Sequence, residues 1–181
     1  MAHYLHRQIG AELETRILSL QPGIEILLDQ ACNGNMNLPL FLLGRKSNDT
    51  ECCNVDILVL KDGKIKILIE IDESNIKPTH ICGKLFTSLI SEYFNHKKYS
   101  DKNIYFGDEV HFVQVVDTSK LHKIKSKKIS QLCNISKNII QLINDLPNSK
   151  INYYHLIFTD KESSKFKMNI NQLVDQIINY M

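Results

Sequence analysis

What this 181-residue chain lacks narrows it first. Its five cysteines are odd in number, two of them are adjacent (Cys52 and Cys53), and no CxxC pair occurs. A paired disulfide framework and a structural zinc site are thereby disfavoured, and buried reduced thiols are expected. No apolar run reaches membrane-spanning length, and the opening MAHYLHRQIGAELETRI is too polar for a signal peptide. A cytoplasmic protein with no membrane partner is expected. Strong charge of either sign is missing too, since the formal net charge is only +2, so any charged ligand must be served by a local patch. There is no internal repeat, no HExxH or HxH spacing, no G-x-S-x-G, no P-loop and no dinucleotide fingerprint. His3 and His6 stand one helical turn apart without a third ligand and read as surface residues. What is present, 43% hydrophobic and 23% charged residues, is ordinary for one globular domain spanning residues 1–181.

Apolar spacing predicts a helix over Tyr4 to Leu20, stopped by the QPG at Gln21 to Gly23. A short helical or irregular piece, Ile24 to Ala31, should follow, then a buried strand over Leu38 to Gly44. A hairpin is expected near Cys53–Leu60 and Ile65–Asp72. Next come an amphipathic helix over Thr79–Asn95 with Thr79 as N-cap, a strand over Glu109–Asp117, a basic loop leading into a helix, a strand near Ile151–Phe158 and a closing helix capped by Asn169 or Asn171. The fold class is α/β (α+β), with helices on both sides of a central mixed sheet of about five strands.

The hairpin segment NVDILVLKDGKIKILIEIDES carries Asp56, Glu70 and Asp72 among its aliphatic residues. Carboxylates are poor strand formers and costly to bury. A two-residue loop at Asp62–Gly63 would send Asp56 and Glu70 to opposite faces. A three-residue loop, Lys61–Gly63 or Asp62–Lys64, reverses the parity. Val55, Ile57, Val59, Ile65, Ile67, Ile69 and Ile71 then share one face, and Asp56, Leu58, Leu60, Leu68, Glu70 and Asp72 the other. The cleaner segregation favours this register. Three carboxylates converging at one end of one face call for a cation or for raised pKa values, and oxygen donors at that density suit Mg²⁺ or Mn²⁺. The plain alternative is a hairpin end whose acids are merely solvated.

These residues resemble the PD-(D/E)XK nuclease superfamily, which includes type II restriction endonucleases, junction resolvases and repair nucleases. The resemblance covers roughly Gly10 to Asp117 and implies a restriction-endonuclease-like core in α-β-β-β-α-β order. Within it, NVD supplies Asp56, EID supplies Glu70, and GAELE resembles the family's helical acid, giving Glu14 with Glu12 as the alternative. Asp72 departs from the pattern, standing where the family has a lysine. Lys84, on the first turns of the following helix, is the preferred substitute, and Lys77 lies just before it. The resemblance implies a Mg²⁺-dependent (or Mn²⁺-dependent) endodeoxyribonuclease, with Asp56 and Glu70 at the metal, Asp72 as additional ligand or water-orienting base, Lys84 at the scissile phosphate or nucleophile, and Glu14 in support. It also implies a homodimer acting on DNA. A structure-selective nuclease of the resolvase or repair type, and a non-catalytic nucleic-acid-binding module, are the competing expectations.

Two basic segments are candidates for phosphate contacts. One runs KLHKIKSKK, with Lys120, Lys123, Lys125, Lys127 and Lys128, and the other, NHKKYSDK, contains Lys97 and Lys98. Such clusters confer salt-dependent affinity for a nucleic-acid backbone, whatever its sequence.

Overall fold

The computed structural model describes residues 3–17, 22–74, 76–121 and 127–181, with the backbone alone at residues 100 and 101. In chain order the elements are α1 (Tyr4–Ile17), β1 (Ile24–Leu28), β2 (Pro39–Phe41), β3 (Glu51–Asn54), β4 (Ile57–Lys61) and β5 (Lys64–Asp72). There follow α2 (Pro78–Ile90), β6 (Tyr93–His96), β7 (Ser100–Asp117), α3 (Lys128–Asp145), β8 (Tyr153–Thr159) and α4 (Phe166–Ile178). The strands form one eight-stranded mixed sheet, larger than the five strands expected from the sequence.

One part of the sheet runs β1-β4-β5-β7-β8, antiparallel across the first two pairings and parallel across the last two. A smaller part, β3-β2-β6, attaches to the N-terminal half of β7 in antiparallel fashion. The 18-residue β7 therefore belongs to both parts. Helices cover the two faces. Leu5, Ile9, Leu13 and Ile17 of α1, with Ile170, Leu173, Val174 and Ile177 of α4, pack on Ile57, Val59, Ile67, Ile69, Val113 and Val115. On the opposite face Leu85 of α2 and Ile139 and Ile143 of α3 pack with Leu58, Leu60, Leu68, Phe112 and Tyr154. Each helix turns a 3.6-period apolar stripe to the sheet and leaves its polar side to water.

Several expected boundaries move. Ile24–Ala31 is not helical: β1 occupies Ile24–Leu28, paired antiparallel with β4 from Ile24 opposite Lys61 to Leu28 opposite Ile57, and a single 3₁₀ turn covers Gln30–Cys32. The helix expected to run to Asn95 stops at Ile90, because Ser91 is extended and its hydroxyl donates to the Ser88 carbonyl. The aromatic pair Tyr93–Phe94 then enters strand β6. Lys77, not Thr79, is the N-cap of α2, with Pro78 in the first helical position where its missing N–H costs nothing. The closing helix begins at Phe166, ahead of both asparagines.

The hairpin reaches the expected phase by another route. Asp62 (φ 52°) and Gly63 (φ 73°) form a two-residue turn with positive φ at both positions, the type I′ pattern, and Lys61 pairs with Lys64. Leu60 then faces Ile65, but Val59 faces Ile67, so Lys66 is an extra residue in a β-bulge. The parity change comes from Lys66, not from a third loop residue. Ile65 consequently packs with Leu60 and Leu68, opposite to its expected face. Val55 also joins that cluster, because the chain changes partners at Val55–Asp56, leaving β2 for β1.

Within β7, His111 Nδ1 lies 3.0 Å from His155 Nε2 of β8. Tyr180 stacks on both rings, 3.9 Å from His155 and 5.0 Å from His111, and Tyr153 stacks on His111 at 4.6 Å. Burial, with His155 and Lys66 nearby, lowers the His111 pKa to about 4. A histidine kept neutral in the fold but free to charge when unfolded favours the unfolded chain in acid. Stability is expected to fall as pH drops from about 6.5 towards about 4, and His111→Phe, which keeps the stack, should flatten that part of the profile in urea titrations. An unchanged profile in the variant would remove His111 as the cause.

Candidate functional site

Four chain segments bring the site together. Asp56 sits at the partner change between β3 and β4, where its carbonyl accepts from the Asp29 N–H at 3.0 Å. Glu70 and Asp72 lie at the C-terminal end of β5, 2% and 1% exposed. Lys84 comes from the second turn of α2 and points back over the strand ends. Its Nζ lies 2.8 Å from Glu70 Oε2, 3.1 Å from Asp72 Oδ1 and 4.0 Å from Asp56 Oδ2. The sheet thus delivers three carboxylates to one side and the helix places one ammonium between them.

The carboxylates are not equivalent. Burial dominates at Glu70 and, with Asp56 and Asp72 adding repulsion, pushes its pKa up to about 8 although Lys84 opposes the shift. At Asp56 burial also pushes upward, but His6, Lys84 and the Ile71 N–H outweigh it and hold the group ionised below the ordinary range. Asp56 Oδ2 accepts from Ile71 N–H at 2.7 Å. Asp72 is anchored on both oxygens. Oδ1 meets Lys84 and His80 Nε2 (3.2 Å), and Oδ2 accepts from Gln114 Nε2 (2.9 Å), whose own oxygen accepts from Tyr154 OH (3.0 Å). Among the described residues Lys84 is the sole polar partner of the Glu70 side chain, and Asp56 Oδ1 has none. For Lys84 burial works against the charge, yet the three carboxylates together raise its pKa above the ordinary lysine value.

A second layer of paired charges lies beside the first. His6 Nδ1 is 2.8 Å from Glu73 Oε1, and its Nε2 is 3.6 Å from Asp56 Oδ2. The N–H groups of Leu5 and His6 donate to the same Glu73 oxygen, at 2.8 and 3.3 Å, so Glu73 caps α1 from the end of β5. Lys161, following β8, bridges Glu73 (3.0 Å) and Asp117 (2.8 Å). Burial alone would raise the Glu73 pKa, but His6, Lys161 and the helix N–H groups bring it down to about 2. An open cavity of about 460 Å³ is lined by Asp72 and Lys84 of the first layer, by His6, Glu73 and Lys161 of the second, and by His80, with His3 and Lys120 also on its wall; Asp56 and Glu70 are not among its lining residues. A groove of about 530 Å³ at the turn end of the hairpin is larger, but its lining, from Lys61 to Lys66 and Gly107 to Glu109, includes none of the clustered acids.

The structure therefore brings Asp56, Glu70, Asp72 and Lys84 together. Glu14 is not among them. It is exposed on α1 and lines a separate cavity with Ile26 and Asn33, about 12 Å along the helix axis from His6 at 1.5 Å per residue. His6, not Glu14, is the α1 side chain that meets Asp56, and it is 7% exposed rather than on the surface. Its sequence signal is its spacing, since Ile9, Gly10 and Leu13 of the buried face lie three, four and seven residues on. Gly10 permits that packing, for a Cβ there would stand 2.7 Å from the Cys32 carbonyl oxygen. Lys77 is exposed at the start of α2. Of the basic residues, Lys120 reaches the cavity wall, Lys127 is exposed and Lys128 half-buried at the start of α3, and Lys123 and Lys125 lie outside the described residues. Lys97 and Lys98 are exposed between β6 and β7, Lys97 lining a different hollow with Lys46 and His96, and Lys98 donating to the Asn35 carbonyl.

Mg²⁺ and Mn²⁺ prefer oxygen donors, and the donor set here is of that kind, with Asp56 Oδ1 and one Glu70 oxygen uncommitted among the described residues. The arrangement is closed by Lys84, however, and among the described residues no set of three or more His, Cys, Asp or Glu side chains has the geometry to hold a metal. Also among them, no helix is long and apolar enough to cross a membrane. No protein-family model, no curated protein and no solved structure matches this chain.

Proposed function

We propose that this protein is a Mg²⁺- or Mn²⁺-dependent endodeoxyribonuclease of the PD-(D/E)XK type, hydrolysing DNA phosphodiester bonds in the manner of a small type II restriction endonuclease and acting as a homodimer. The observation that carries the reading is the convergence of Asp56, Glu70 and Asp72 on Lys84 at the end of one hairpin. The succession α1, β1, β4, β5, α2, β7 also follows the α-β-β-β-α-β order of that superfamily, with β2, β3 and β6 as additions.

In this reading Asp56 and Glu70 hold the cation. A cation held there would supply Lewis acidity, making a water more acidic and offsetting charge at the phosphate. Asp72, committed to His80 and Gln114, holds Lys84 over the strand ends. The Lys84 ammonium donates hydrogen bonds to the attacking water or to a non-bridging phosphate oxygen, balancing charge as the water oxygen bonds to phosphorus and the P–O ester bond breaks, with the water's proton lost to solvent and the departing oxygen protonated from solvent. His6 keeps Asp56 ionised and fixed, and Glu73 fixes His6. Lys120, on the cavity wall, contacts the DNA backbone, and the lysines that follow it in sequence add salt-dependent affinity.

Plasmid and phage DNA incubated with the protein should be cut into discrete fragments with Mg²⁺ or Mn²⁺ and remain intact in chelator. Asp56→Ala should reduce cleavage by about a hundredfold or more. Cutting confined to branched substrates would shift the assignment to the resolvase type. Absence of cleavage on every DNA, with binding unaffected by Asp56→Ala and Glu70→Ala, would leave a non-catalytic binding module.

A further inference from the structure

Lys84 stands where the three carboxylates converge, and the consequence concerns cation binding itself. We infer that Lys84 is the resident counter-ion of the carboxylate trio and sets the protein's affinity for a divalent cation; the identity of the cation rests on the nuclease reading. Glu70, 2% exposed, has no other described polar partner. An ammonium 2.8 Å from its oxygen and a divalent cation compete for the same carboxylate. Asp72 keeps His80 and Gln114 whether or not Lys84 stays, so the competition centres on Glu70 and Asp56. The lysine is free to yield: it is on a flexible four-carbon stem, its neighbours Cys82 and Gly83 are exposed, and a Cβ added at Gly83 would meet nothing within 4 Å. Asp56 and Asp72 also meet His6 and His80, whereas Glu70 has, among the described residues, the ammonium alone, so a dication at Glu70 and Asp56 would take over the charge that Lys84 now balances.

The test titrates Mn²⁺ alone, without DNA, into wild type, Lys84→Met and Lys84→Arg, followed by electron paramagnetic resonance of free Mn²⁺. Lys84→Met should bind roughly tenfold more tightly or better, and Lys84→Arg should stay as weak as wild type. Equal or weaker binding by a folded Lys84→Met overturns the inference. If that variant does not fold, wild-type Lys84 acylation read by mass spectrometry decides. Saturating Mn²⁺ should release the amine and raise its labelling, and unchanged labelling overturns the inference. The nuclease reading is judged separately by wild-type cleavage. Tighter Mn²⁺ binding without cleavage leaves the counter-ion role standing and removes the nuclease, whereas cleavage without tightening does the reverse.

Discussion

Glu70→Gln is expected to reduce the proposed DNA cleavage by about a thousandfold while leaving the melting temperature at pH 8 unchanged or higher. The substitution keeps the shape of the side chain and removes its charge. That charge is expensive where it stands, because the carboxyl is nearly fully buried and its pKa is pushed up to about 8. Between about pH 4.5 and pH 8 the unfolded chain releases this proton before the folded one does, so Glu70 lowers stability as pH rises through that window. Glutamine has no such loss. Nor does the change strand Lys84, which keeps Asp72 at 3.1 Å and Asp56 at 4.0 Å. A buried group whose removal costs no stability but abolishes activity is retained for chemistry. Thermal melts across pH together with plasmid cleavage check both halves. Full activity in the variant would remove Glu70 from the mechanism.

Phe112→Ala should destabilise the fold by about 3–5 kcal/mol, the range for emptying a large aromatic from a closed core, and lower the melting temperature by roughly 10 °C. Phe112 lies in the part of β7 that is paired on both sides, by β5 and β8, and is fully buried. It is flanked by Leu68 of β5 and Tyr154 of β8, whose ring it stacks against at 6.1 Å. Helices cannot readily collapse into the gap, because the backbone beneath it is pinned by parallel ladders on both sides. Phe112→Leu, which keeps most of the volume, should cost about 1.5 kcal/mol or less. Urea unfolding of both variants measures the difference, and a loss below about 1 kcal/mol for the alanine variant would mean that this layer relaxes freely.

The alternation of the hairpin made its two faces legible in the sequence, since burial of one face penalises any slip. The turn was not legible. A three-residue loop and a two-residue turn with a bulge produce the same phase at the far end, and only Ile65, whose face differs between them, records the choice. In β1, IEILL is too short to separate a strand from a buried helical turn by spacing. β6 is not separable from the preceding helix by spacing, because Phe94 prolongs the apolar pattern of Ile81, Leu85, Leu89 and Ile90. At the site, Asp56, Glu70, Asp72 and Lys84 lie within one stretch of chain whose local geometry is readable. His6 and Lys161 come from opposite ends of the chain, 67 and 88 residues from Glu73, and tertiary packing alone unites them.

Lys66 carries a consequence for how this chain tolerates change in length. Seven positions separate Val59 from Ile67, the pair that fixes the phase of everything beyond them. Gain or loss of two residues within that interval would preserve the phase, and the tip of the hairpin is free to be remodelled in that way. Gain or loss of one would turn Glu70 and Asp72 into the layer occupied by α1 and α4, among isoleucines and valines. Insertions and deletions in this segment are therefore constrained by parity more than by length, and a site at one end of the hairpin restricts variation at the other.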